Sequence, residues 1–124
     1  AKTSESESVT LWGSGAPKRE FLHADDLGRA CLFLLENYDD EVAINVGVGE
    51  EISIKELAEL IKGIIGFQGD IAWDDSKPDG TPRKLLDVSR IAKLGWKAEI
   101  ELADGIESTY AWFKKESEGL ARTS

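Results

Sequence analysis

The sequence predicts a mixed α/β lobe, with at least three helices and three or four short strands. Three observations carry that expectation. Apolar residues recur at helical spacing in separate windows, most clearly at Ile54, Leu57, Ala58, Ile61 and Ile65. The extended stretches are short and scattered, too few for a doubly wound sheet of their own. No strand runs through a G-x-G-x-x-G turn into a helix, and Gly47-Val48-Gly49 lacks the third glycine of that phosphate cradle.

The elements follow in chain order. Residues 1–8 are polar, with Ser and Glu alternating from Ser4, and form a flexible lead-in to a single domain over residues 9–118; residues 119–124 are a flexible tail. Residues 9–12 form a short strand stopped by Gly13, Ser14, Gly15 and Pro17, and residues 19–23 are a second extended piece. Asp25 is placed to cap a helix whose apolar face is Leu27, Ala30, Cys31, Leu34 and Leu35, ending over residues 37–40. Residues 42–46 give the clearest strand. Ser53 and Glu56 make a capping box for the next helix, and Gly66 is placed to stop it in the left-handed conformation. A strand over residues 70–73 leads into an irregular segment, 74–84, with Pro78, Gly80 and Pro82. A short helix runs from near Asp87 to Gly95, and a last one over residues 103–118 carries Ile106, Tyr110 and Phe113 on one face.

Composition excludes several classes of function. The chain has 124 residues, with 24 Asp+Glu against 15 Lys+Arg and a net charge of −9. One domain fits that length, but a dinucleotide-binding half plus a substrate half does not. Hydrophobic content of 41% with 31% charged residues describes a folded chain, not a disordered acidic one. No apolar run approaches the ~20 residues of a membrane span, and no signal peptide opens the sequence. The acidic balance argues against a nucleic-acid surface, which needs clustered Lys and Arg. The single Cys31 cannot form an internal disulfide, and one thiol with one histidine cannot build a tetrahedral metal site. A cytoplasmic location fits this cysteine usage. Methionine is absent even at position 1, which implies a chain trimmed at its start or excised from something longer.

Two segments could carry chemistry. Trp12-Gly-Ser-Gly-Ala-Pro-Lys-Arg19 joins an aromatic plane, a flexible turn and two cations. That set suits a planar base or sugar next to a phosphate, with Arg19 able to bond a pyrophosphate in bidentate fashion. The alternative is a hairpin with Trp12 in the core and its cations solvated. Ser76-Lys-Pro-Asp-Gly-Thr-Pro-Arg-Lys84 lacks periodicity, which in a compact domain points to a functional loop; the alternative is an ordinary surface turn. There Asp79 offers acceptors for sugar hydroxyls, while Arg83 and Lys84 offer positive charge, so two basic clusters could converge on one anion. His23 reads as structural, bonded near the Asp25–Asp26 helix start, and both aspartates as cap and dipole partners. Cys31 reads as inert core, and Trp73, Trp96 and Trp112 as packing. No nucleophile is paired with a base, so the chain offers no catalytic residues of its own.

Read together, these segments resemble a known family. Residues 9–26, Val-Thr-Leu-Trp-Gly-Ser-Gly-Ala-Pro-Lys-Arg-Glu-Phe-Leu-His-Ala-Asp-Asp, are similar to the opening of the C-terminal part of GDP-L-fucose synthases. Ile44-Asn-Val-Gly47, Lys77-Pro-Asp-Gly-Thr-Pro-Arg-Lys84, Leu94-Gly-Trp96 and Gly105-Ile-Glu-Ser-Thr-Tyr-Ala-Trp-Phe113 continue the match. The Arg19-to-Asp26 stretch marks only the wider superfamily of extended short-chain dehydrogenases/reductases, whereas the Trp12 and Lys77–Lys84 stretches are more specific. The resemblance implies a small substrate-binding domain of such an enzyme, without a complete Rossmann sheet. It places Trp12, Arg19 and Asp79, with Lys84 as a further contact, on positions that bind the GDP-sugar.

The same resemblance implies an NADP-dependent parent, homodimeric, that epimerises and reduces GDP-4-keto-6-deoxymannose. Its catalytic residues and cofactor loop precede the part matched here, so no cofactor is expected to bind this chain alone. Cys31 and His23 do not match the family's epimerisation pair. The chain by itself is expected to be catalytically inactive and to bind a GDP-sugar weakly. A few charge-assisted bonds of roughly 1.5–3 kcal/mol each stand against an association cost of at least ~4 kcal/mol, which leaves an affinity on the order of millimolar. Faces that normally pack on the N-terminal Rossmann domain would be exposed and prone to self-association. The alternatives are a lobe of another nucleotide-sugar epimerase or dehydratase, and a non-enzymatic interaction module on the same fold.

Overall fold

The computed structural model describes residues 1–123. Along the chain lie β1 (Ser8–Trp12), β2 (Lys18–Arg19), α1 (Ala24–Asn37), β3 (Ile52–Ser53), α2 (Ile54–Ile65), β4 (Asp70–Asp74), β5 (Arg83–Lys84), α3 (Ser89–Leu94) and α4 (Leu102–Thr123). β1 and β4 form a parallel pair, in register from Ser8 opposite Asp70 to Trp12 opposite Asp74. A second sheet has the order β3-β2-β5, with β2 antiparallel to β3 and parallel to β5. The mixed α/β expectation holds, as does the expectation that the strands would be short.

Local chemistry accounts for α2 at both ends. Ser53 Oγ accepts the N–H of Glu56 at 3.1 Å, and Gly66 takes the left-handed φ of 72° that stops the helix. Ser53→Ala should therefore lower stability by about 1 kcal/mol, seen as a reduced urea midpoint with an unchanged slope. α4 packs against α2. The buried core is Ala30, Ile91 and Trp96, with Leu22, Phe33, Leu34, Ile44, Val46 and Val88 packed around it, so α1 and α3 meet there.

Several sequence expectations need correction. The cap of α1 is His23, not Asp25: His23 Nδ1 accepts the Asp25 N–H at 3.0 Å, because His23 is the last extended residue before the helix. The histidine is structural as expected, and its Nε2 lies 3.2 Å from Ser108 Oγ. Asp26 is more than a dipole partner, since it is fully buried. Its carboxylate accepts from Arg29 at 2.6 Å and from the N–H groups of Glu99 and Ile100 at 3.1 and 2.9 Å.

Residues 42–46 do not form a strand. Their polar backbone groups are met by side chains instead of a ladder: Tyr38 OH donates to Val42 O at 2.6 Å, and Arg90 donates to Ala43 O at 3.2 Å. Pairing beyond Arg19 is likewise absent over residues 20–23, and the segment 74–84 is ordered at both ends by β4 and β5. α4 continues past Glu118 to Thr123. Only one side of the expected apolar face of α1 is core: Ala30 is buried and Leu34 packs beside it, whereas Leu27, Cys31 and Leu35 are exposed. Trp96 packs as expected, whereas Trp112 and Phe113 are exposed.

Candidate functional site

Where β1 ends, the chain turns through Gly13 and Gly15 at φ of 89° and 79°, a backbone that favours glycine. This turn faces the start of the loop that follows β4. A cavity of about 140 Å³ lies between them, walled by Trp12, Pro17, Arg19, Pro78, Asp79 and Gly80 among others. Three of the four residues singled out from sequence, Trp12, Arg19 and Asp79, thus share one cavity although the chain between them is long. The fourth, Lys84, does not line it. It lies directly across from Arg19 in the β2–β5 pair.

Trp12 is 75% exposed, which removes the reading of it as core. Lys77 Nζ stands 5.3 Å from the centre of its ring. Arg19 Nη1 donates to Lys18 O at 2.7 Å and to Thr81 O at 2.6 Å, so the guanidinium plane is fixed by backbone carbonyls. Asp79 meets no cation here. Its Oδ1 accepts the Ser14 N–H at 2.8 Å and its Oδ2 the Ser14 hydroxyl at 2.6 Å. These two bonds, the hydroxyl one first, hold its carboxyl below the usual carboxylate range. A side chain on Gly13 would collide with the same carboxylate.

The two basic clusters do not converge in full. Arg83 donates through Nε to Glu51 Oε2 at 2.8 Å, so its charge is met by a carboxylate on the far side of the sheet order. Sequence reasoning also missed the role of Glu20. Glu20 accepts from Gly49 N–H at 2.9 Å and Leu86 N–H at 3.2 Å, tying the 47–49 turn to the chain after β5. Gly47 leaves room for that carboxylate, since a Cβ there would sit 2.8 Å from Glu20 Oε1. Ser14, between two left-handed glycines, carried a signal of sorts: a hydroxyl at a fixed turn is a natural anchor.

Among the described residues no group of three or more His, Cys, Asp or Glu is placed to hold a metal ion. Among the described residues the glycine-rich turn after β1 leads into β2, not into a helix N-terminus of the kind that holds a pyrophosphate. No helix is long and apolar enough to cross a membrane among the described residues.

Comparison with known proteins follows the same outline. Residues 1–47 match the model of the NAD dependent epimerase/dehydratase family. The chain is 52% identical, over 93% of its length, to GDP-L-fucose synthase 1 of Arabidopsis thaliana, of which it covers 36%. It is 47% identical, over 91% of its length, to GDP-L-fucose synthase of Escherichia coli K12, of which it covers 38%. Among solved structures, a GDP-L-fucose synthetase from Naegleria fowleri bound to NADP superposes with a TM-score of 0.88 at 30% identity, covering 94% of this chain and 37% of that one. The fold is that of part of an extended short-chain dehydrogenase/reductase enzyme. The chain spans a little over a third of the length of these relatives.

Proposed function

We propose that this chain, which is homologous to part of the GDP-L-fucose synthases, is the portion that holds the GDP-sugar while a longer enzyme carries out NADP-dependent epimerisation and reduction of GDP-4-keto-6-deoxymannose. The supporting observation is the meeting of Trp12 and Arg19 with residues 78–80 around one cavity. An exposed indole beside a guanidinium fixed by two carbonyls suits a base stacked next to a diphosphate. Lys77 and Lys84 add positive charge at its edge, in a chain that is acidic overall. The cavity is too small for a whole sugar nucleotide, so the ligand would lie across it, with its remainder against the rest of a full-length protein.

In this reading the residues do no bond-making. They bind and orient a ligand whose chemistry belongs to the longer enzyme. Titration of the 124-residue chain with GDP-mannose, followed by resonance shifts, should give a dissociation constant on the order of millimolar. UDP-glucose should bind at least about fivefold more weakly, and Arg19→Ala should lose about tenfold for the guanine ligand. Equal affinities for the two sugar nucleotides would remove the reading. NADPH oxidation by the pure chain would contradict the assignment of chemistry to a longer protein.

A further inference from the structure

We propose that Glu20 is a positioning residue for the diphosphate of the sugar nucleotide: by holding the amides of Gly49 and Leu86 it fixes the register of β2 against β5, and with it the placing of Lys84 opposite Arg19. This rests on the nucleotide reading above and adds to it a residue that does not itself line the cavity.

β2 and β5 are each only two residues long, too short a ladder to fix a register by itself. Their pairing also sets like charges side by side, Lys18 opposite Arg83 and Arg19 opposite Lys84, which works against the contact. Arg83 is relieved by Glu51 at 2.8 Å. Among the described residues Arg19 and Lys84 have no such carboxylate, so that pair keeps its positive charge for an anion. A strand pair of this kind needs fastening at its ends. At the near end the Lys18 N–H donates to Pro82 O at 2.9 Å. Glu20 fastens the far end. It follows β2 directly, and its Oε1 accepts the Leu86 N–H at 3.2 Å, two residues past Lys84. Its Oε2 accepts the Gly49 N–H at 2.9 Å, in the turn that leads to β3. One carboxylate thus ties β2 to both of its neighbours in the sheet. The turn leaves space for it, since a Cβ on Gly47 would lie 2.8 Å from Oε1 and 3.0 Å from Oε2. With both oxygens bonded to backbone amides, Glu20 serves the strands and leaves the Arg19 guanidinium to the carbonyls of Lys18 and Thr81. A diphosphate spreads its charge over two phosphates and gains from two cations held side by side, whereas one cation serves a monophosphate.

The test titrates the 124-residue chain with GDP and with GMP, and repeats both titrations on Glu20→Ala, Glu20→Gln, Lys84→Ala and the double Glu20→Ala/Lys84→Ala variant. A positioning role predicts that Glu20→Ala weakens GDP by about fivefold to tenfold and GMP by less than about twofold. Lys84→Ala should show the same split. The double variant should bind GDP no more weakly than Lys84→Ala alone, because the two residues act through one contact. Glu20→Gln keeps one carbonyl acceptor in the same space and should recover part of the lost affinity. Unchanged GDP affinity in Glu20→Ala, at an unchanged melting temperature, overturns the proposal. Equal losses for GDP and GMP, or losses that add in the double variant, overturn it as well, because they assign Glu20 to the fold and not to the cation pair. If Glu20→Ala does not fold, the cycle is run with Glu20→Gln, and additivity with Lys84→Ala decides against the proposal. Failure of the unaltered chain to bind either nucleotide overturns the nucleotide reading together with this one. Intact binding without a GDP-specific loss overturns this one alone.

Discussion

Asp26→Ala lowers the stability of the chain by about 3 kcal/mol, measured as a fall in the urea midpoint at pH 7. The reason is the number of groups that one carboxylate satisfies. It sits on the first turn of α1, fully buried, and accepts from Arg29 on its own helix and from two backbone N–H groups at Glu99 and Ile100. Removing it strands both amides away from water and leaves Arg29 with the more exposed Glu99 as its carboxylate partner. The two elements it joins are α1 and the segment entering α4, so the loss spreads to the core at Ala30, Ile91 and Trp96. Burial alone pushes this carboxyl up. The hydrogen bonds from Arg29, Ile100 and Glu99, with the charge of Arg29, outweigh burial and hold it below its ordinary value of 3.8. A carboxyl lowered on folding contributes stability that is present above its unfolded value and disappears as pH falls through the folded one. The difference between the original chain and Asp26→Ala should therefore be full at pH 7 and shrink below about pH 4. A gap that stays constant down to pH 2 would mean that the carboxylate's charge contributes nothing.

How much of this was legible in the sequence depends on how far each signal reaches. The capping of α2 by Ser53 and its stop at Gly66 lie within a turn of the helix, so local pattern sufficed. Trp12, Arg19 and Asp79 stood out by residue type, but nothing local said that Asp79 would bond Ser14, 65 positions away. Asp26 was misread for the same reason: a first-turn aspartate looks like a dipole partner until a segment 73 residues later folds its amides over it. His23 was passed over as a cap because serine and aspartate are the usual choices, although its Nδ1 offers the same lone pair. Periodicity marked Leu27, Ala30, Cys31, Leu34 and Leu35 as one face of α1. It could not report that the core would cover Ala30 and Leu34 and leave Leu27, Cys31 and Leu35 exposed. Residues 42–46 have the composition of a strand, but a strand also needs a neighbouring edge, which sequence pattern does not supply.

Leu27→Lys combined with Leu35→Lys weakens self-association of the chain by at least about a hundredfold. Leu27 and Leu35 are 46% and 82% exposed, and Cys31 lies one turn from each on the same side of α1. Leu32, on the same helix, is also exposed. A stripe of this kind is what a chain covering a little over a third of its relatives' length would present where more protein packs in a longer one. The expected result for the chain alone in water is that this stripe meets its own copy. In a symmetric contact each residue is used twice, so the two substitutions remove four leucine side chains from one interface. At about 1 kcal/mol for each partly buried leucine the loss reaches about 4 kcal/mol, enough for well over a hundredfold. Lysine is nearly as good a helix former as leucine, so α1 itself should not weaken. Sedimentation velocity over about 10–500 µM under reducing conditions separates this from a Cys31 disulfide, because reduction removes the covalent dimer and leaves the apolar one. If the original chain stays monomeric throughout that range, or if both chains associate equally, the stripe is not the contact. A melting temperature that holds while association is lost assigns the effect to the surface and not to the fold.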